Sequence, residues 1–247
     1  MGNRIFIITG TSKGIGRQLA ELCLEKGDTV YGIARGASDL NNTYERYTHV
    51  QFDLEDTHHI DDLISGILDQ IPLASVECIG LINNAAMLEP LKPIDQCLAS
   101  DISIHLNISL AAPMILTSSF IRYTSHMPAR RKIINVSSAS GSYPAPSMAA
   151  YCTSKAGINM FTQCVAMEQT SQSNPAEIIV FDPGMVDTEL QAVARGKDAE
   201  EFALSGVFQN VYESGQLRSP GDVAQALLDC FEESATSDNI VPTMDEE

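Results

Sequence analysis

The sequence is poor in basic residues, and this scarcity limits the partners that the protein can have. Of its 247 residues, 15 are Lys or Arg and 32 are Asp or Glu, so the formal net charge is −17. A surface of this charge is unsuited to binding nucleic acid or an anionic membrane. It also repels phosphorylated ligands, unless a few cations are placed beside the site.

Long apolar runs and cysteine motifs are also missing. No run of eighteen apolar residues occurs, which predicts that no helix crosses a membrane. The first residues resemble a strand beginning at Arg4 and lack the features of a secretory signal. The six cysteines form no Cys-x-x-Cys pair and have no histidine at zinc-ligand spacing. We therefore expect reduced thiols, a cytoplasmic protein and no metal site.

Short apolar runs alternate with amphipathic segments along the whole chain. The predicted strands are 4–9, 29–34, 50–52, 78–82, 132–136 and 177–181, and the predicted helices are 14–25, 60–68, about 102–124, 148–168 and 223–231. Apolar strands separated by helices predict a doubly wound, mostly parallel sheet with helices on both faces, a Rossmann-like α/β fold. No linker divides residues 1–247, so we expect a single domain. We also expect a substrate-loop or lid insertion at about 185–219, helical over 195–219, and a solvated acidic tail at 244–247.

A glycine-rich turn follows the first strand and begins the first helix. Glycines permit a tight turn and close approach to a pyrophosphate, and the helix N-terminus offers unpaired N–H groups. The Gly-x-x-x-Gly-x-Gly spacing differs from the common dinucleotide fingerprint, and a turn without a ligand remains the alternative. The nucleotide-binding candidates are Gly10, Ser12, Lys13, Gly14, Ile15 and Gly16.

The second strand ends at Arg35, where enzymes that prefer NAD usually carry an acidic residue for the ribose hydroxyl. The nearest downstream acid is Asp39. Lys13 could reach the same region, and two cations near one ribose suit a 2′-phosphate, which favours NADP(H). The alternative is that both are solvated surface charges.

A candidate acid–base group lies in the second half of the chain. Tyr151 and Lys155 are four residues apart on one face of a predicted helix. Ser138 ends the fifth strand, at the edge where parallel sheets bind ligands. Asn107 lies between Leu106 and Ile108, where it either serves the site or stabilises its helix.

The combination of these motifs resembles the short-chain dehydrogenase/reductase family over about residues 4–233. The order and spacing match in the turn 9–16, Asn83-Asn84-Ala85-Ala86, Asn107, Ser138, Tyr151-x-x-x-Lys155 and Pro183-Gly184. One departure is Ala86, where the family usually has glycine.

The resemblance implies a role for each residue of the acid–base group. Tyr151 would donate a proton to the substrate carbonyl, with its pKa lowered by the Lys155 ammonium and by oxidised nicotinamide. Lys155 would also bind the nicotinamide ribose. Ser138 would stabilise charge on the substrate oxygen. Asn107 would hold a water that connects Lys155 to solvent.

The resemblance also implies further cofactor contacts. Asp53 and Leu54 would flank the adenine, although Asp53 could instead cap the next helix, and Thr188 could be a local cap too. The remaining implied contacts are Asn83, Asn84 and Ala85 beside the adenine ribose, and Pro183, Gly184, Val186 and Thr188 beside the nicotinamide.

The stretches 81–87, 150–157, 183–195 and 217–220 are similar to carbonyl reductases of the benzil reductase and sepiapterin reductase type. This resemblance implies an NADPH-dependent reductase of α-dicarbonyls. The candidate substrate contacts, for which ordinary loop packing is the alternative, are Met87, Leu88, Tyr143, Met148, Met185 and Phe208. A non-catalytic NADP(H)-sensing protein and an oxidative alcohol dehydrogenase remain alternatives. Relatives are often dimers or tetramers, so a homo-oligomer is expected.

Overall fold

The computed structural model describes residues 3–72 and 75–233, so the predicted tail at 244–247 lies outside the described residues. Six strands form one parallel sheet in the order β3-β2-β1-β4-β5-β6. They are β1 (Arg4–Thr9), β2 (Thr29–Ala34), β3 (Tyr47–Gln51), β4 (Cys78–Asn83), β5 (Arg130–Val136) and β6 (Glu177–Phe181). The predicted doubly wound, Rossmann-like single domain is confirmed.

Helices cover both faces of the sheet. They are α1 (Gly14–Glu25), α2 (Leu40–Thr43), α3 (Ile60–Leu68), α4 (Ala99–Leu106), α5 (Ala112–Thr124), α6 (Ala149–Gln169), α7 (Glu189–Arg195), α8 (Ser205–Glu213) and α9 (Pro220–Glu232). Successive strand residues point to opposite faces, so Ile5 and Ile7 join the core beneath α3 and α5, and Phe6 and Ile8 join the core beneath α1 and α9.

The site is positioned by the topology of the sheet. The chain leaves β1 towards β2 and β3, and it later leaves β4 in the opposite direction towards β5 and β6. A crevice therefore opens beyond the carboxyl ends of β1 and β4, where the winding reverses.

Two segments differ from the sequence-based prediction. The helix predicted over 102–124 is interrupted by a π-helical turn, Asn107–Ala111, and β3 begins at Tyr47 rather than at 50. The region 185–219 is helical, as expected of an insertion there: it contains α7 and α8, which pack on each other, and a short bridge between Val186 and Arg218. Periodicity does not give the bounds of such short helices, since tertiary packing holds them.

The continuous helical stretch Ala99–Thr124 is long and apolar enough, by length and composition alone, to cross a membrane. The buried core helix of a globular domain passes the same test. Here Ala112, Leu116 and Phe120 are fully buried against the sheet, which is the packing of a core helix.

Candidate active site

The glycine turn has the geometry of an anion cradle. Gly10 and Gly14 have φ angles of +77° and +57°, which residues with a Cβ adopt with strain. A Cβ on Gly16 would lie 2.4 Å from the carbonyl oxygen of Gly10, so only glycine fits there. Helix α1 has no side-chain N-cap and no acidic residue in its first turn. Its N-terminal N–H groups are therefore available to a phosphate.

A polar tie holds the turn against β4. The Thr9 hydroxyl accepts hydrogen bonds from the backbone N–H groups of Asn84 and Ala85, each at 3.0 Å. The Asn84 amide donates to the Thr9 carbonyl at 2.9 Å. These bonds join the ends of β1 and β4 and fix one wall of the crevice.

The crevice is a cavity of about 520 Å³ that extends from the glycine turn to the acid–base group. Predicted cofactor contacts that line it on the turn side are Gly10, Ser12, Lys13, Gly14, Ile15, Arg35, Asp53 and Leu54. Asn84, Ala85 and Thr188 also line it and lie against Gly10 or Gly14. The remaining predicted contacts on the wall are Tyr151, Lys155 and Pro183, together with the predicted substrate contact Met87. The cavity is large enough for an extended dinucleotide.

Two cations face the turn end of this cavity. Arg35 is exposed, and its guanidinium lies 3.8 Å from the Asp53 carboxylate, which is a loose ion pair. Lys13 is exposed and makes no ion pair with any residue in the described ranges 3–72 and 75–233. Arg17, by contrast, is bound by Asp39 at 2.8 Å and by Glu21 at 3.1 Å. Arg35 and Lys13 can therefore turn towards an added phosphate.

Tyr151 and Lys155 project from the first turns of α6 towards the end of β5. The Lys155 ammonium donates a hydrogen bond of 2.8 Å to the Val136 carbonyl and lies 5.6 Å from the centre of the Tyr151 ring. Ser138 follows β5, and its hydroxyl caps a short turn by accepting from the Ser140 N–H. The same hydroxyl is a hydrogen-bonding partner of the Tyr151 phenol.

Burial dominates the protonation of this pair. Burial raises the pKa of Tyr151 to about 12, and the hydrogen bond to Ser138 offsets part of the increase. Burial also lowers the pKa of Lys155 to about 8, against a smaller opposing effect of Asp182. The expectation that the ammonium lowers the pKa of Tyr151 is not met in the protein alone. A phenol with this pKa is protonated at neutral pH.

Several predicted site residues are not on the cavity wall. The Asn83 amide donates to the Asn135 side chain at 2.8 Å and to Thr117 at 3.2 Å, within a buried network under α5. Asn107 begins the π-helical turn, and its side chain bonds to no residue in the part of the chain that the structure describes. Gly16, Ser138, Gly184 and Val186 also lie outside the lining. Of these, Ser138 is the hydrogen-bonding partner of the Tyr151 phenol described above.

The predicted substrate residues separate into three environments. Met87 lines the cavity, whereas Tyr143 and Met185 are exposed to 56% and 37%. Met148 is buried in an apolar cluster that surrounds Tyr151. We call this the tyrosine cluster; its buried members are Leu88, Leu91, Met148, Tyr151, Ala194 and Phe202, and Phe208 packs on its side.

Of the two capping alternatives from the sequence, the structure shows the one for Thr188. Thr188 caps α7 by accepting from the Gln191 N–H, whereas Asp53 accepts from the Glu55 N–H at 3.1 Å within a turn and does not cap the helix that follows. Both side chains line the cavity as well, so these local bonds are compatible with a ligand contact.

Other lining residues were not predicted from the sequence. Ile104 and Ile108, one helical turn apart, line the cavity, as do Glu189 and Leu190 at the start of α7.

His105, between the apolar Ile104 and Leu106, is fully buried beside Tyr151. The sequence signal for His105 was a polar residue within an apolar helical stripe.

Comparison with known proteins gives consistent matches. The short chain dehydrogenase family model matches residues 4–199. Benzil reductase ((S)-benzoin forming) of Bacillus cereus is 39% identical over 93% of this chain and 94% of that protein. The Bacillus subtilis (strain 168) protein of the same name is 33% identical over 96% of each chain. The crystal structure of KRED1-Pglu enzyme superposes with a TM-score of 0.82 at 22% identity, covering 96% of this chain and 98% of that one.

Proposed function

Because this chain belongs to the short-chain dehydrogenase family, we propose that it is a carbonyl reductase that uses NADPH. In this proposal it reduces one carbonyl of an α-dicarbonyl, with Tyr151 as the proton donor. The observation that carries the proposal is one cavity bounded by the glycine turn at one end and by Tyr151 and Lys155 at the other.

The residues present suit a nicotinamide dinucleotide. The cradle of Gly10, Gly14 and Gly16 would hold the pyrophosphate, and Leu54 and Ala85 would flank the adenosine half. Pro183 and Thr188 would border the nicotinamide end. When bound, the reduced nicotinamide supplies the hydride.

Tyr151 supplies the proton in this mechanism. A buried phenol whose pKa is raised to about 12 holds its proton at neutral pH. It releases that proton only to an oxygen that is gaining negative charge. Ser138, which contacts the phenol, would donate to the same oxygen and stabilise it. Lys155, anchored on Val136, would orient the ribose and place a positive charge beside the phenol.

The preference for NADPH rests on the charges at the turn end. Arg35 occupies the end of β2, and neither it nor Lys13 is held by a close ion pair among the described residues. Guanidinium and ammonium groups together favour a ribose 2′-phosphate over a free hydroxyl. These two side chains would also offset locally the repulsion from the net charge of −17.

An α-dicarbonyl substrate is favoured by the relatives and by the apolar surroundings of Tyr151. Two relatives at 39% and 33% identity are benzil reductases. The tyrosine cluster and Met87 offer an apolar surface that suits a flat, weakly polar ligand. The segment 185–219 would close over that ligand, and a cytoplasmic homo-oligomer remains our prediction.

The proposal is tested by following NADPH oxidation with benzil and with a simple aliphatic diketone. We expect turnover by the natural chain, and a loss of at least about a hundredfold in kcat for Tyr151→Phe. The NADPH dissociation constant, measured by cofactor fluorescence, should change less than twofold.

Full activity of Tyr151→Phe would exclude Tyr151 as the proton donor. Intact NADPH binding without turnover on a broad carbonyl panel would instead favour a cofactor-sensing protein. Tighter binding of NADH than of NADPH would contradict the assigned cofactor.

A further inference from the structure

His105 is a buried histidine beside the acid–base pair. It lies in the last turn of α4 and is fully inaccessible to solvent. Its Nδ1 atom is 2.7 Å from the Glu89 carbonyl oxygen, and its Nε2 atom is 3.1 Å from the Ser154 hydroxyl. The edge of its ring faces the Tyr151 ring, with 6.2 Å between centres and 77° between planes.

One hydrogen-bond partner of His105 fixes the proton on its Nδ1 atom. A carbonyl oxygen only accepts, so Nδ1 must carry a proton to bond to Glu89. Burial lowers the pKa of His105 and the Lys155 charge lowers it further, against the opposing effect of the Glu89 hydrogen bond. The Ser154 hydroxyl donates its single proton to the Tyr151 carbonyl at 2.8 Å and lies 3.1 Å from Nε2, so this proton is shared between the two acceptors. His105 thus joins α4 to Ser154 in the second turn of α6.

Glu89 connects the same histidine to the region beyond α7. While its carbonyl binds His105, its carboxylate binds the Lys197 ammonium at 2.8 Å. Lys197 follows α7, and the segment between α7 and α8 contributes Phe202 to the tyrosine cluster. The bonds therefore connect three elements: the loop after β4, the segment after α7, and the start of α6.

We propose that His105 is a positioning residue, which holds the Tyr151 ring in place by tying the β4–α4 loop at Glu89 to α6 at Ser154. This inference rests on the role given to Tyr151 in the proposed function. His105 is not on the wall of the dinucleotide cavity. Its loss therefore acts on proton transfer and leaves cofactor binding intact. Misplacement of a reacting group by about 1 Å can reduce a rate about a hundredfold.

The kinetic test compares three substitutions. His105→Phe fills the space but removes both hydrogen bonds, and we expect kcat to fall about tenfold or more with an NADPH dissociation constant within twofold. His105→Asn keeps a donor towards Glu89 and should recover part of kcat. Ser154→Ala removes the bond between His105 and α6, together with the hydroxyl's bond to the Tyr151 carbonyl, and keeps the bond to Glu89. It should resemble the phenylalanine variant more closely than the asparagine variant does.

A second readout makes the result independent of turnover. In protein labelled with ¹³C at the tyrosine ζ carbons, Tyr151→Phe identifies the Tyr151 signal. His105→Phe and Ser154→Ala should shift or broaden that signal, while His126→Asn, the matched change at an exposed histidine, should not.

The two readouts separate the possible failures. If the natural chain reduces no dicarbonyl, the proposed function fails. The positioning role of His105 is then tested by the ¹³C signal of Tyr151 alone. An unchanged Tyr151 signal in His105→Phe and Ser154→Ala overturns the positioning role. The positioning role is also overturned if His105→Asn and His105→Phe both lose activity, NADPH binding and thermal stability. Such a joint loss would mean that His105 has a general packing role.

Discussion

The two ends of the cavity are built by different means. At the turn end, backbone geometry forms the site: glycines at positive φ, free N–H groups of α1, and exposed cations. At the other end, the site consists of buried side chains whose protonation is shifted by burial, Tyr151 upwards and Lys155 downwards. Changes at the turn end should therefore act on binding, and changes at the buried end should act on proton transfer and stability.

The largest effect should come from Gly16→Ala. The added methyl would lie 2.4 Å from the Gly10 carbonyl oxygen and 2.5 Å from the Asn84 amide, so the turn must open. We expect dinucleotide affinity to fall at least about a hundredfold, because the backbone donors no longer converge. Isothermal titration with NADPH measures the loss.

Gly66→Ala is the control for that change. A Cβ at Gly66, within α3, meets nothing within 4 Å, and alanine favours the helix by about 0.5–1 kcal/mol. Its NADPH affinity should be unchanged. Equal losses of NADPH affinity in Gly16→Ala and Gly66→Ala would show that close packing at the turn is not the cause of the loss.

Lys155→Met should raise stability while it abolishes activity. The folded pKa of about 8 lies below the ordinary 10.5. At pH 7 the ammonium is buried in the folded state, and the shift corresponds to about 3 kcal/mol against folding. Loss of the hydrogen bond to Val136 offsets about 1 kcal/mol of the stability gained by removing the buried charge. We expect urea unfolding at pH 7 to show a gain of about 2 kcal/mol.

The lowered pKa of Lys155 should also make the free energy of unfolding depend on pH. Between pH 8 and 10.5 the unfolded chain holds more protons at this residue than the folded chain, so the free energy of unfolding of the natural protein rises with pH there. The advantage of Lys155→Met should therefore shrink across that window. An advantage that grows with pH would contradict the assignment.

Lys132→Met is the matched control, because Lys132 is also a buried lysine whose pKa is lowered by burial. Its ammonium, however, binds the Cys230 and Glu233 carbonyls at 2.7 Å each and lies 3.6 Å from the Glu177 carboxylate. Removing it takes one donor from each of these acceptors, although Arg130 also binds Glu177 and the Glu233 carbonyl. We expect Lys132→Met to lose stability under the same conditions.

The turn end was more predictable from sequence than the buried end, and the reason is physical. Glycine spacing next to a strand and a helix determines backbone geometry locally, so residues that line the cavity could be named in advance, namely Gly10, Ser12, Lys13, Gly14, Ile15 and Arg35. Apolar runs that alternate with helices likewise predicted the sheet, since every strand except the edge strand β3 is buried on both faces.

The buried end depends on packing between distant segments. Asn83 was expected to serve the cofactor, but its amide is committed to Asn135 and Thr117 beneath α5. The position of His105 cannot be predicted without knowing that Glu89 and Ser154 contact it from separate elements. Periodicity carries no information on such pairings.

Arg35→Ala should reduce NADPH affinity about tenfold and leave NADH affinity unchanged. Arg35 is exposed and only loosely paired with Asp53 at 3.8 Å, so its interaction with a 2′-phosphate would be charge-assisted but partly screened. Arg17→Ala is the control, since Arg17 is bound by Asp39 and Glu21 and lies off the cavity wall. Equal effects on both cofactors would remove the reason for preferring NADPH.

The smallest effect should come from Glu189→Gln. The Glu189 carboxylate lies 3.8 Å from where a Cβ on Gly14 would be, beside the N-terminus of α1. A carboxylate there repels an incoming pyrophosphate, whereas the amide does not, so we expect NADPH affinity to rise two- to fivefold at low salt and less at high salt. Glu213→Gln, an exposed change on α8, should have no effect. Weaker binding by Glu189→Gln would mean that this carboxylate supports the turn, and that backbone geometry alone does not form that end of the cavity.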